Sequence, residues 1–186
     1  MKKSSLILVT VAALIAVLLR LADRPMLNFS AMGALAVLSG AVLWPSWLGL
    51  LVPLACRALT DCVLEYRTGH GFYGSMAFDY AAYAAMFAAG RMLQPKHVPA
   101  ALGTGLLAAA MFFAVSNLGV WCMPHEGQYL YERNLRGLGE CFTMALPFAK
   151  GTFLGDVSFT IAFFGVLQLL AVPGVQKQVE LQQSEK

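Results

Sequence analysis

Residues 29–64 read FSAMGALAVLSGAVLW, then Pro45-Ser46, then WLGLLVPLACRALTDCVL. A helix that crosses a bilayer needs about 20 mostly apolar residues, and both runs approach that length. Proline and serine between them leave room only for a tight helical hairpin. Arg57 and Asp61 are the only charged residues in the stretch. A soluble domain would have to bury both runs on every side, whereas a bilayer accepts them directly.

The rest of the chain has the same character. Of 186 residues, 59% are hydrophobic and 12% charged, and the mean hydropathy is +0.66. Soluble domains carry about a quarter of their residues charged, so this composition argues against a soluble enzyme. It also excludes a disordered chain and a collagen-like or disulfide-stapled one. The net charge of +3 comes from 13 Lys and Arg against 10 Asp and Glu, and no basic run resembles a nucleic-acid patch.

The expected fold is all-α: a polytopic membrane protein with six transmembrane helices, over about 6–21, 29–44, 47–64, 76–93, 98–121 and 152–172. Residues 1–173 form one domain, and 174–186 a polar cytoplasmic tail. The apolar run 137–172 is too long for one crossing. Pro147, Lys150 and Gly151 predict a break, with a short extra helix or re-entrant segment over 138–148. A signal peptide is the rival reading of the first span. Arg20 would then stand three residues before the cleavage point, where a small residue belongs, which favours a retained anchor. Six spans put both termini on one side, and Lys2, Lys3, Arg91 and Lys96, near ends and short loops, make that side cytoplasmic.

Small residues recur at helical spacing: Ala77, Ala81, Ala85 and Ala89; Ala101, Gly105 and Ala109; Ala12 and Ala16; Gly151 and Gly155. Such faces let helices approach closely in lipid, so internal packing is their plain reading.

Ionisable groups inside a bilayer are costly and mark pairing or function. Arg57 and Asp61, four apart on one helix face, form an ion pair that fixes helix register. Asp61, Asp79 and Asp156 lie near the outward ends of their spans, as do Arg20, Asn117, Trp121, Tyr80 and Tyr83. The outward loops 65–75 and 122–150 are rich in charged and aromatic residues, while the inward connections are plain. This predicts an outward-facing, substrate-binding pocket. Asp61, Tyr83, Asp79, Asn117, Trp121 and Asp156 would form its floor, and Arg67, His70, Tyr73, His125, Tyr129 and Arg133 its lids. No catalytic residue is assigned: nucleophile elbow, Walker loop and kinase signature are all missing from the sequence. Without a nucleotide-binding loop the chain cannot itself be an ATP-driven pump. The stretch 69–74 matches G-x-G-x-x-G, but it joins two membrane spans instead of a strand and a helix. Asn28-Phe29-Ser30 matches a glycosylation sequon but abuts a span.

Of Cys56, Cys62, Cys122 and Cys141, the last two fall on the outward side and can pair if that side is oxidising. No metal site is built in. Cys62 and His70 are the candidate ligands for a metal carried by a bound cofactor.

Several stretches carry a family resemblance. They are Asn28-Phe29-Ser30-Ala31-Met32-Gly33-Ala34-Leu35-Ala36, Asp61, Ser116-Asn117-Leu118-Gly119-Val120-Trp121, and Gly137-Leu138 with Cys141, Ala145-Leu146-Pro147-Phe148, Thr152 and Gly155-Asp156. Over about residues 24–170 the chain resembles a family of small bacterial membrane proteins. That family is similar to the substrate-binding S-components of energy-coupling-factor (ECF) vitamin transporters and to solitary cobalamin transporters. The resemblance implies an S-component-like bundle in the bacterial cytoplasmic (inner) membrane, with cytoplasmic termini. It implies a vitamin-sized pocket near the outer face, capped by the first, third and fifth loops. It also implies an ECF-type energising module as partner, docked through Ala12 and Ala16. The transported ligand would be a vitamin or cofactor precursor, a corrinoid among them. Solitary cobalamin transporters ligate cobalt with a cysteine, and the corresponding loop here holds His70 and no cysteine. The rivals are a non-transport accessory subunit of a membrane complex and a membrane enzyme using Cys62, Cys141 or His70.

Overall fold

The structure, a computed structural model, describes residues 3–22, 26–43, 45–93, 98–125 and 127–171. Six helices follow one another: α1 Lys3–Leu21, α2 Met32–Val42, α3 Leu48–Thr68, α4 Met76–Leu93, α5 Val98–Cys122 and α6 Leu135–Ala171. Among the described residues there is no strand, and His125 and Gln128 make one isolated bridge between α5 and α6. The polar tail expected at 174–186 lies outside the described residues.

The bundle is organised around α2, which touches all five other helices. Every residue from Ala31 to Gly40 is buried. The sequence explains how: Gly33, Ala34, Ala36, Ser39 and Gly40 bring neighbouring backbones close, and Met32, Leu35 and Leu38 fill the remaining space. A Cβ on Gly40 would stand 2.0 Å from the Phe87 carbonyl oxygen, and one on Gly90 would stand 2.0 Å from that of Val37. The two glycines therefore set the α2–α4 approach reciprocally. With 11 residues, α2 is only about 16 Å long, roughly half a hydrocarbon core.

Its start departs from the expected span 29–44. Residues 26–31 are not helical, and Asn28 takes a left-handed φ of 60°, a conformation asparagine tolerates better than most residues. This irregular stretch runs beside α6. Cβ atoms on Gly151 and Gly155 would stand 1.8 Å from the Leu27 oxygen and 2.4 Å from the Ser30 oxygen. The glycine pair of α6 thus serves a backbone–helix contact.

The largest correction concerns α6. The expected break at Pro147 to Gly151, with a separate short helix over 138–148 and a span over 152–172, is absent: α6 is one helix of 37 residues, about 55 Å long. Proline removes one hydrogen bond from the ladder. A full break would orphan several more backbone groups beside an apolar bundle. The helix also starts earlier than predicted, because the Asn134 Oδ1 accepts the Gly137 N–H at 2.9 Å and caps it. Gly137, Cys141 and Ala145, four apart, form the buried face of its first third.

Two small-residue faces pack internally as expected. Ala101, Gly105 and Ala109 are buried, with Gly105 against Val157 and Thr160 of α6. Ala12 and Ala16, the pair expected to dock a partner, are fully buried and close the packing of α1. The Ala77–Ala89 series departs from expectation in its first half, with Ala77 and Ala81 exposed and Ala89 buried; α4 packs through Ala82, Tyr83, Met86, Phe87, Ala89 and Gly90.

Among the described residues, three helices are long and apolar enough to cross a membrane: Ser4–Leu21, Pro99–Cys122 and Leu135–Ala171. In α3 and α4 the apolar character is interrupted by Arg57, Asp61 and Asp79, which face inward and are buried. The outside of the bundle is apolar: Ile7, Leu14, Leu18, Leu59, Leu102, Leu106, Leu154 and Leu169 are all exposed. A soluble protein rarely shows so much contiguous apolar surface, and a lipid-facing one needs it.

Candidate functional site

Helical spacing places Arg57 and Asp61 one turn apart on α3, and their side chains pair at 3.0 Å between Nε and Oδ2. The pair belongs to a larger network. The Arg57 Nη2 reaches Asp79 Oδ2 of α4 at 3.1 Å, and the same Nη2 donates to the Tyr73 hydroxyl, which in turn donates to Asp79. The Arg57 guanidinium also lies 5.6 Å from the centre of the Tyr83 ring. From α1, Arg20 pairs with Asp61 Oδ1 and donates its Nε to Thr60 Oγ1 at 2.8 Å. Tyr80 donates to Asp61 Oδ2 at 2.9 Å. Two guanidinium groups and two carboxylates balance each other. Arg57, Asp61 and Asp79 are 4%, 0% and 7% exposed, so each charge depends on its partners. Burial raises the Tyr73 hydroxyl above its ordinary value, which keeps it a hydrogen-bond donor at neutral pH.

This network forms the floor of a cleft of about 340 Å³. Arg20 of α1, Arg57 of α3 and Asp79 of α4 stand at its base. Phe112, Phe113, Ser116 and Asn117 of α5 form one wall, and Phe148, Ala149 and Thr152 of α6 another. Asn28 from the α1–α2 connection and His70, Tyr73 and Ser75 from the α3–α4 connection close the rim. Gly69, with φ 70°, ends α3. The chain then turns back, and Glu65 Oε2 accepts the N–H groups of Gly71 and Phe72 at 2.9 and 3.1 Å. That tether, with Tyr73 reaching Arg57 and Asp79, seats the connection on the cleft.

A smaller recess of about 40 Å³ adjoins the base; Asp156, Tyr83, Ser30 and Gly33 line it together with Arg20, Arg57 and Thr152. The Asp156 carboxylate lies against the first turn of α2, where a Cβ on Gly33 would stand 2.5 Å from both of its oxygens, and Ser30 Oγ accepts the Met32 N–H at 3.1 Å. One of the amides that open α2 is thus satisfied by Ser30, since its N-cap Ala31 has no side chain able to do so. Asp156 of α6 thus stands beside the N-terminus of α2, buried with it.

The predicted site residues divide into three groups. His70, Tyr73, Asp79 and Asn117 line the cleft. Asp61, Tyr83 and Asp156 lie below it, Asp61 in the network and the other two on the recess. The remaining residues stand elsewhere. Arg67 is exposed and donates to the Leu21 carbonyl at 3.4 Å, tying α3 to the end of α1. Trp121, Tyr129 and Arg133 stack on one another: the Arg133 guanidinium is 4.3 Å from the Trp121 ring centre and 5.0 Å from that of Tyr129. The Trp121 Nε1 donates to the Glu132 carbonyl at 2.9 Å. This cluster folds the α5–α6 connection on itself and does not line the cleft. His125 lines a separate, more apolar hollow of about 220 Å³, shared with Tyr73 and Leu130.

Sequence reasoning placed Arg20 with the outward polar groups but not in the pocket, missed Phe112, Phe113, Ser116, Phe148 and Thr152 as cleft residues, and treated Arg57 only as an ion-pair partner. An arginine near the end of an apolar helix was a usable signal for Arg20. The phenylalanines had none, since lipid-facing and cleft-facing rings look alike in sequence. The four cysteines are unpaired. Cys141 is buried and its Sγ donates to the Asn117 carbonyl at 3.4 Å. Cys62 is exposed and off the cleft wall, whereas His70 is on it.

Fold and site together define an all-helical bundle of membrane-protein character with a polar-floored, aromatic-walled cleft at one end. The chain belongs to a family of unknown function, DUF6580, whose match covers residues 1–179. No curated protein and no solved structure matches it.

Proposed function

We propose that this protein captures a small micronutrient, a vitamin or cofactor precursor, in the cleft and serves its uptake across the bacterial cytoplasmic membrane. In this reading all six helices are embedded, the termini are cytoplasmic and the cleft opens outward. An ECF-type module or slow solitary exchange drives turnover. The observation that carries the reading is the cleft itself. A membrane bundle needs no such hollow for stability, and this one gathers Arg20, Asp79, Asn117 and Thr152 from four different helices beneath a tethered connection. Binding sites combine apolar walls with a few placed polar groups in this way. Asn28 and Ser30 of the non-helical stretch 26–31 support the reading too, because they line the cleft and its recess, where irregular backbone is tolerated. The volume of about 340 Å³ lies near the lower end of ligand pockets, roughly 300–1,000 Å³. It favours a molecule of one or two rings over a corrinoid.

The test is thermal unfolding of the detergent-purified protein against a broad vitamin panel. A true ligand at 100 times its Kd is expected to add about 2.7 kcal/mol. If no compound shifts the transition and no small molecule accompanies the purified protein, the accessory-subunit reading replaces this one.

A further inference from the structure

The floor of the cleft restricts the charge of what it holds. Its charged groups are already paired: Arg57 with Asp61 and Asp79, Arg20 with Asp61. All three Arg57 nitrogens are engaged: Nε by Asp61, Nη2 by Asp79 and the Tyr73 hydroxyl, and Nη1 by the Tyr83 hydroxyl. An anionic ligand would meet guanidinium groups whose charge Asp61 and Asp79 already offset, and a cationic one would compete with Arg57 for Asp79. Either ligand would leave a charge without a full partner at a largely buried position.

The neutral groups have the opposite status. The Ser75 and Thr152 hydroxyls line the cleft and make no hydrogen bond among the described residues. Asn117 donates its Nδ2 to the Phe113 carbonyl at 2.7 Å, which leaves its Oδ1 as an acceptor. The cleft therefore offers neutral donors and acceptors from three elements. The rings of Phe112, Phe113 and Phe148 provide apolar walls around them, which suit the faces of a flat ring.

Resting on the capture reading above, we propose that the cleft selects a net-neutral ring compound of one or two rings, with both donors and acceptors on its edge. It discriminates against the phosphorylated or carboxylated form of the same ring. The cleft would thus take the free form of a cofactor precursor and leave its charged derivative in solution.

The test is equilibrium binding to the purified full chain with three matched pairs: nicotinamide and nicotinate, biotin amide and biotin, pyridoxine and its 5′-phosphate. Any molecule that accompanies the protein through purification is identified by mass and counted by its charge in the same way. The neutral member of a binding pair, or a neutral accompanying molecule, is expected to bind at least about tenfold more tightly than its charged counterpart. A charged member that binds as tightly as its neutral partner overturns the inference while leaving capture intact. Binding of nothing, with no accompanying molecule, overturns capture and this inference together. Asn117→Asp places a new carboxylate on α5 without touching the network. It is expected to weaken the neutral ligand and to admit thiamine, a cation; unchanged selectivity in this variant contradicts the proposal. Should that variant fail to fold, Ser75→Asp on the rim carries the same expectation.

Discussion

Arg57→Ala is expected to destabilise the purified protein by about 3–5 kcal/mol, the range for removing one partner from a buried charge cluster. The reason is geometric. Arg57 touches Asp61, Asp79, Tyr73 and Tyr83, so its loss leaves Asp79 without a cation and Asp61 with Arg20 alone. The two carboxylates then face each other across a largely dry floor. Arg57→Lys is expected to recover only part of the loss, because one ammonium cannot reproduce contacts made through three guanidinium nitrogens. The measurement is equilibrium unfolding in detergent, followed by far-ultraviolet circular dichroism. A loss below about 1 kcal/mol for Arg57→Ala, the level of an exposed pair, would contradict the buried network.

Gly40→Ala is expected to be as damaging, at about 3 kcal/mol or more, the upper range for overpacking. The added methyl would fall 2.0 Å from a backbone oxygen of α4, and a backbone atom cannot move aside as a flexible side chain can. The helices must separate instead, and α2 is the element every other helix packs on. Gly103→Ala on α5 is the internal control. Nothing lies within 4 Å of its Cβ position, so the better helix former should stabilise the protein by about 0.5–1 kcal/mol. Opposite signs for the two substitutions would confirm the α2–α4 approach; equal effects would deny it.

The two substitutions also mark how far the sequence was readable. Helix existence was legible because apolar run length is dictated by the bilayer, and α4 runs from Met76 to Leu93 as expected. The continuity of α6 was not legible, because Pro147 followed by Lys150-Gly151 carries the same breaking signal whether or not neighbouring helices hold the chain straight. Asn134, three residues before Gly137, was the overlooked cue to its start. The late start of α2 goes with the packing of residues 27–30 against Gly151 and Gly155 of α6, more than 120 positions away along the chain; no local pattern encodes such a contact. Within the site, Asp79, His70, Tyr73 and Asn117 stood out because polar residues next to apolar spans are unusual. Trp121, Tyr129 and Arg133 stood out for the same reason, yet they satisfy one another. Sequence shows that a group needs a partner and leaves open whether the partner is a ligand or a neighbour.

Native mass spectrometry of the intact protein, released gently from its own membrane, tests the central claim most directly when run beside Ser116→Trp. That substitution puts an indole into the cleft from α5 and spares the charged floor. The wild-type chain is expected to carry one small molecule of defined mass, and the filled variant to fold and carry none. An equal load on both, or a bare wild-type chain that no vitamin stabilises, would contradict the cleft as a binding site.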